Sequence, residues 1–344
     1  MRVLVTGGSG FLGGWLARRL LAEGHAVRLI CRGDRAPLAR ALPGTEVVPG
    51  DVTDATSLAA ACRGIDTVFH LAGVVGHGAH ARTEMERVNV GGTARVIDAC
   101  AASGARLVHA SSAVAVGASF DGHPLDEQAR WTLASLRLGY FDTKHRAEEL
   151  VLAAVRARRI EAVMINPTTI YGAGDAAKGS RTVQVAVARG RFPWVPPGGV
   201  GVVAVEDVVD AFLAVWCRGR VGERYLINGG NLTIRELFTA IARAAEVRPP
   251  WIPLPRAVLF GLGAVGDRLA AFGFDPPFTT ETAWMAVLHH WFDGGRAERE
   301  LGIRPRPPAA AITASVEWMR AAGLLGGRWG RRSSSAAAMM DVHS

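Results

Sequence analysis

The chain has 344 residues, is 49% hydrophobic and 20% charged, and carries a formal charge of +8 from 39 Lys plus Arg against 31 Asp plus Glu. That size allows two packed units or one large one with an ample core, and the composition excludes a largely disordered, collagen-like or disulfide-stapled chain. Cys31, Cys62, Cys100 and Cys217 contain no Cys-x-x-Cys pair, which speaks against a zinc or redox motif and for buried thiols in a reducing compartment.

Taken in chain order, short apolar runs alternate with longer stretches of helical spacing. Strands are expected at Arg2 to Thr6, Ala26 to Cys31, Glu46 to Pro49, Thr67 to Leu71, Arg106 to Ala110 and Ala162 to Asn166. Between them Phe11 to Glu23, Asp54 to Cys62, Thr83 to Ala102 and Tyr140 to Arg158 repeat apolar residues at helical intervals. This alternation predicts an α/β fold of the Rossmann type, a doubly wound parallel sheet formed by residues 1–170. Beyond Tyr171 the alternation stops, prolines punctuate shorter elements and seven of the nine tryptophans occur. Residues 171–325 therefore read as a smaller, irregular C-terminal substrate domain, and strands returning from it to the sheet are left open. Thr233-Ile234-Arg235-Glu236 within it has the form of a capping box. Residues 326–344 lack apolar periodicity and read as a disordered tail.

The N-terminus enters a strand at once, without the apolar core of a signal peptide, so a cytoplasmic location is expected. The apolar run 257–266 is far shorter than the ~20 residues of a membrane span. It is expected to pack internally, with contact at a membrane surface as the lesser alternative and no integral span. Arginines scattered among acids, without a recognition motif, give no nucleic-acid partner.

Thr6-Gly7-Gly8-Ser9-Gly10-Phe11-Leu12-Gly13 joins the first strand to the first helix. About half a match to Gly-x-x-Gly-x-x-Gly arises by chance in so glycine-rich a chain, so its position carries the argument. A turn without side chains lets a helix N-terminus approach a pyrophosphate. The second strand ends in Ile30-Cys31-Arg32, without the carboxylate an adenosine ribose usually meets, and Arg32, helped by Arg35, suits a 2′-phosphate instead. NADP(H) is expected over NAD(H), which stays open. Asp51-Val52 and Leu71-Ala72-Gly73 follow the third and fourth strands, at the carboxyl ends where such sheets bind ligands.

The sharpest signal is Tyr140-Phe141-Asp142-Thr143-Lys144. With three tyrosines and two lysines in the chain, about 0.02 such pairs are expected by chance. On a helix the spacing puts both side chains on one face. A tyrosine is a poor acid-base group at neutral pH, and bringing it down by ~3 units takes roughly 4 kcal/mol, which a neighbouring ammonium can help supply. The fifth strand ends in His109-Ala110-Ser111-Ser112, where the Ser112 hydroxyl can orient a carbonyl oxygen and Ser111 is its buried neighbour.

Together these residues resemble the extended short-chain dehydrogenase/reductase family, also called the NAD-dependent epimerase/dehydratase family, over roughly residues 2–325. The resemblance implies that Gly7, Gly10 and Gly13 bind the pyrophosphate, with Phe11 and Leu12 beside the dinucleotide. It makes Ser112, Tyr140 and Lys144 the catalytic residues, sets Asp51 beside the adenine and Leu71-Ala72-Gly73 along the cofactor. The segment Asn166-Pro167-Thr168-Thr169-Ile170-Tyr171-Gly172 passes under the nicotinamide in this reading, and Asn89 matches a helix asparagine of the family. A homodimer is compatible with it.

Substrate does not follow from fold, but departures narrow it. The chain lacks the acidic residue of sugar 4-epimerases at the second strand end. It has Ala113-Val114 where sugar dehydratases carry an Asp-Glu pair, and Val200 where nucleotide-sugar enzymes place an arginine before Val205-Glu206-Asp207. What remains is similar to the dihydroflavonol reductase and 3β-hydroxysteroid dehydrogenase branch. The expected activity is thus an NADPH-dependent ketone reductase, or alcohol dehydrogenase in reverse, acting on an apolar or aromatic small molecule. Trp194, Trp251, Trp284 and Trp291 are candidates for its pocket, although core packing is the commoner use. His77 and His80 are weaker candidates, and His289-His290 lacks metal-ligand spacing, so no metal is expected. The alternatives are an NAD-dependent sugar epimerase using the same triad and a non-catalytic NADPH-binding regulator.

Overall fold

A computed structural model of the chain describes residues 1–76, 78–176, 181–274, 276 and 278–325, with backbone alone at 78–80. The expectations for His77 and the tail 326–344 lie outside the described residues, as does the side chain of His80. Six strands fall where the apolar runs predict them: β1 (Arg2–Thr6), β2 (Ala26–Cys31), β3 (Glu46–Pro49), β4 (Thr67–His70), β5 (Arg106–Ala110) and β6 (Ala162–Pro167). They form one parallel sheet in the order β6, β5, β4, β1, β2, β3, and a seventh strand, Arg224–Ile227, pairs in parallel with the free side of β6. The order reverses between β1 and β4, so the loops leaving those two strands diverge around a crevice at their carboxyl ends.

Strands with Val3, Leu4 and Val5 all fully buried need cover on both faces. On one face the helices Phe11–Ala22 and Val205–Arg218 bring Leu16, Leu20, Val208, Phe212 and Trp216 onto the sheet. On the other, Thr93–Ser103 and Gly139–Arg156 supply Val96, Ile97, Val151 and Ala154. Trp216 is tied down as well as packed: its Nε1 donates to Thr67 Oγ1 at 3.1 Å. The chain after residue 171 thus contributes a strand and a covering helix to the main sheet. It also forms a second sheet, in which Gly199–Ala204 pairs with Gly230–Thr233, His289–His290 and Thr169–Tyr171. The Thr233/Glu236 capping box is present and opens the helix Ile234–Ala244.

Three expectations need correction. The single helix predicted over residues 83–102 is split: an α-helical segment Gly78–Met85 runs into a π-helical turn, Glu86–Gly92, before Thr93–Ser103. Thr93 Oγ1 donates to Asn89 O at 2.6 Å inside that turn, and the Asn89 side chain is engaged elsewhere. The run 257–266 packs internally along one side only. It belongs to the helix Arg256–Ala271, in which Leu259, Gly263 and Gly266 are buried while Val258, Leu262, Val265 and Leu269 face outward. The two glycines fit it tightly against 278–280, where a Cβ at Gly263 would come within 2.9 Å of Thr280 Cα. Its main partner is the single helix Thr280–Val287, too narrow to cover the rest. Among the described residues no helix is long and apolar enough to cross a membrane. Finally, Cys62 and Cys100 are buried, but Cys31 is half-buried and Cys217 exposed, one position beyond the inward-facing Trp216.

Candidate active site

The site is built at the carboxyl ends of β1, β4, β5 and β6. After β1 the chain turns through Gly7, whose φ of +72° is the left-handed conformation that glycine tolerates at no cost. A Cβ there would also lie 2.8 Å from Ala72 N, so the turn and the loop after β4 touch backbone to backbone. Gly13, in the first turn of the helix that follows, is required for the same reason, since a Cβ would collide with Gly7 O. The Thr6 hydroxyl, fully buried, accepts the amides of Leu71 and Ala72 at 3.1 Å each and so fixes that loop over the turn. The helix Phe11–Ala22 starts at Gly10 with neither a side-chain cap nor an acidic residue in its first turn. Its leading amides are open to an anion. This cradle fits a dinucleotide pyrophosphate.

Around the cradle lie the other expected cofactor contacts. Phe11 packs near Gly172 and Gly174, and Trp15 Nε1 donates to Ala173 O at 3.3 Å, so the segment after Tyr171 closes against the start of the first helix. Leu12 is half-buried on the core. Arg32 stands exposed just past β2. The nearest carboxylate there, Asp34, caps Ala36 N at 3.0 Å rather than lying at the strand end. Asp51 is half-buried and folds its own loop, accepting Thr53 N at 2.8 Å, while the buried Val52 packs at Gly92.

The catalytic candidates converge at the end of β5. Ser112 follows the strand and opens a short 3-10 turn. Tyr140 lies in the first turn of the helix Gly139–Arg156, whose start is held by Glu281: Gly139 N donates to Glu281 Oε1 at 2.6 Å. Burial pushes the Tyr140 phenol above the ordinary tyrosine value, opposed by a hydrogen bond with the Ser112 hydroxyl. Lys144, one turn on, is 8% exposed and donates from Nζ to Ala110 O at 3.1 Å. Burial lowers its ammonium to about 8, with the carboxylate of Glu148 opposing the fall. A Cβ at Gly73 would lie 3.6 Å from Lys144 Nζ, which places the loop after β4 beside the ammonium. Asn89 joins these parts: its Oδ1 accepts Val74 N at 2.7 Å, and its Nδ2 donates to Val74 O and to Thr143 Oγ1.

Asn166 is fully buried, and Nδ2 donates to Ser112 O at 3.0 Å. Pro167 ends β6, and Thr169 opens the strand that leads to Tyr171. Ser111 is buried, and its hydroxyl has no hydrogen-bond partner among the described residues. Of the four candidate tryptophans Trp284 shares an apolar cluster with Tyr140, built on Leu133, Leu138, Phe141 and Leu288. Trp194 and Trp251 are exposed, and Trp291 donates to Leu232 O at 2.9 Å as part of the second sheet. His290 is half-buried, edge-on to Phe141 at 5.3 Å, and desolvation holds its imidazole down to about 4.

Residues outside the expected set also belong here. Trp131 stacks on His145 at 4.2 Å, and Glu148 and Arg224 meet beneath Lys144. Glu148 was within reach of sequence reasoning, because Tyr140, Lys144 and Glu148 continue one helical stripe. Arg224 and Trp131 carry no local signal.

The chain is 32% identical to "Sterol demethylase protein B" of Methylococcus capsulatus over 94% of its own length and 100% of that protein. It is likewise 32% identical to "3 beta-hydroxysteroid dehydrogenase/Delta 5-->4-isomerase" of Mycobacterium tuberculosis, covering 88% of this chain and 86% of that one. Among solved structures, that of the protein gox2253 superposes with a TM-score of 0.83 at 32% identity, covering 94% of this chain and 99% of the other. The sequence profile of the NAD dependent epimerase/dehydratase family matches residues 3–227, the stretch that runs from β1 through the seventh strand of the main sheet. With the glycine cradle, the Tyr-Lys helix and the seven-stranded sheet all inside that match, the chain belongs to the NAD dependent epimerase/dehydratase family.

Proposed function

We propose that this protein is an NADPH-dependent ketone reductase, or alcohol dehydrogenase in reverse, for an apolar or aromatic substrate. The observation that carries the reading is the convergence at the end of β5: Ser112 sits beside the Tyr140 phenol while Lys144, one turn on, is anchored to Ala110 of the same strand. The family's nicotinamide cofactor, when bound, supplies the hydride. Tyr140 donates its proton to the carbonyl oxygen, and the Ser112 hydroxyl holds that oxygen in place. The Lys144 ammonium favours the phenolate left on Tyr140 and, at the edge of Gly73, stands ready for the ribose. Gly7, Gly10 and Gly13 with the amides of the first helix hold the pyrophosphate. Asp51, Val52, Leu71, Ala72, Asn166, Pro167 and Thr169 line the rest of the cofactor's path, and Arg32 takes the 2′-phosphate.

An apolar substrate is supported by the wall beside Tyr140. Trp284 packs edge-on against Phe260 at 4.8 Å and near Phe120 at 6.1 Å, continuing the cluster that holds the phenol. The sterol and steroid in the names of the relatives suit such a wall. The test is NADPH consumption screened against steroid ketones, hydroxyflavanones, β-keto acids and nucleotide-sugar ketones. Consumption with an apolar ketone is the expected result. Tightly retained NAD with no net consumption of NADPH would instead favour a sugar epimerase. That alternative is weakened by Val200, an apolar residue on Gly199–Ala204 where such enzymes need an arginine.

A further inference from the structure

Beneath the site lies a chain of buried polar groups that the reaction as written does not use. Glu148 is 0% exposed and follows Lys144 by one helical turn. Its Oε1 accepts from Asn166 Nδ2, and its Oε2 accepts from Arg224 Nη1 at 2.9 Å. The same Asn166 Nδ2 donates to Ser112 O at 3.0 Å. Arg224, on the seventh strand, is itself clamped by two bonds to Glu127 O, at 3.0 Å from Nε and 2.8 Å from Nη2. Three stretches far apart in sequence therefore meet at one carboxylate.

A carboxylate taken wholly out of water is expensive unless its charge is matched, and a buried pair contributes less to stability than to fixing geometry. Lys144 is a second buried charge in the same place, with three donors of which Ala110 O takes one. The groups that face it can be enumerated by element. On its own helix are Tyr140 and Glu148. On β4 and β5 stand His70 and His109, both fully buried; burial lowers His70 to about 3 and holds His109 well below the ordinary histidine value, so both are neutral at physiological pH. Among the described residues Glu148 is thus the negative charge acting on the ammonium, with the Arg224 guanidinium of the seventh strand paired to it at 2.9 Å.

We propose that Glu148, held by Arg224 and Asn166, is a positioning residue that sets the field at the Lys144 ammonium one helical turn away and, through Asn166, ties that turn to Ser112. The proposal rests on the Ser-Tyr-Lys reading above for its role in turnover, but its physical core does not.

The chain's two lysines, Lys144 and Lys178, give a direct readout. In K178R protein labelled with ¹³C at lysine Cε, the single remaining signal reports the protonation of Lys144 without any substrate. Removing the Glu148 charge in E148Q is expected to lower the titration midpoint of Lys144 by about one pH unit. The double variant E148Q/R224M leaves no guanidinium charge unmatched and so folds where E148Q alone does not; because a cation goes with the anion, its midpoint is expected to fall by less than that of E148Q. A midpoint unchanged from wild type in whichever of these variants folds would overturn the proposal.

Turnover supplies the second arm. A one-unit fall predicts a loss of about five-fold at pH 8 and none at pH 6. A loss uniform across pH marks Glu148 as structural and likewise overturns it. Should Tyr140→Phe leave turnover intact, the Ser-Tyr-Lys reading fails while the lysine titration still decides the role of Glu148.

Discussion

Lys144 is charged where charge is costly, and this has measurable consequences. Its native value of about 8 lies below the 10.5 of a free lysine. Between those two pH values the unfolded chain holds a proton that the native state has released, so native stability rises with pH through that window, by up to about 3 kcal/mol. Cys62, raised by burial to about 11, and Tyr140 work in the opposite sense at the alkaline end, because they keep protons that the unfolded chain loses. The comparison that isolates lysine is therefore wild type against Lys144→Met in denaturant titrations at pH 7 and pH 10. The variant should be the more stable at pH 7 and should lack the lysine contribution to the rise, while losing turnover. Tyr140→Phe should cost 10²- to 10⁴-fold in turnover, the range of a positioned acid, with NADPH affinity changed little in fluorescence titration. Arg32→Ala should weaken NADPH by roughly ten-fold or more and leave NADH nearly unaffected, since a charge-assisted bond to a phosphate is lost in one case only. The Tyr-Lys pair and the strand-end serine could be read from sequence because each sits at a fixed interval on one element. Arg224 could not, because 76 residues separate it from Glu148 and only the sheet brings them together.

At the scale of elements, alternation located all six leading strands, and the glycine turn located the crevice. Gly13→Ala should abolish dinucleotide binding, because the added carbon falls on Gly7 O and the turn must open. A thermal-shift titration with NADPH reads this directly: no shift is expected in the variant. Periodicity was less informative where hydrophobic residues do not face a core. The helix Arg256–Ala271 has the composition of a buried helix, yet Leu259 is 1% exposed and Leu262 53%. Leu259→Ala should cost about 2–5 kcal/mol and Leu262→Lys no more than roughly 0.5 kcal/mol, measured as differences in denaturant midpoint. Composition cannot distinguish the two positions. The close fit of Gly263 and Gly266 against 278–280 sets which side faces inward. The π-helical turn was equally hidden, since its Asn89 bonds Val74 and Thr143 and the following Thr93 bonds His70, groups that arrive from other segments.

For the whole molecule, a boundary at residue 170 separates sequence patterns but not cores. One cluster joins Val3, Val5, Leu16 and Phe69 with Val208, Phe212, Tyr225, Ile227 and Leu301, so residues on both sides of the boundary share a single hydrophobic interior. A fragment of residues 1–170 would leave that sheet face only half covered, by the helix Phe11–Ala22, and the outer edge of β6 unpaired. It should be insoluble or lack the dispersed amide spectrum of a folded protein. The same fragment extended to residue 325 should give one cooperative unfolding transition. The late arrival of Arg224–Ile227 also sets a clock for synthesis. β6 leaves the ribosome 60 residues ahead of the strand that covers it, an interval of about 3–12 s at ordinary elongation rates. Throughout that interval its edge is a template for any other nascent chain. The yield of native protein should therefore depend on how fast the codons between those strands are translated, even though no residue changes.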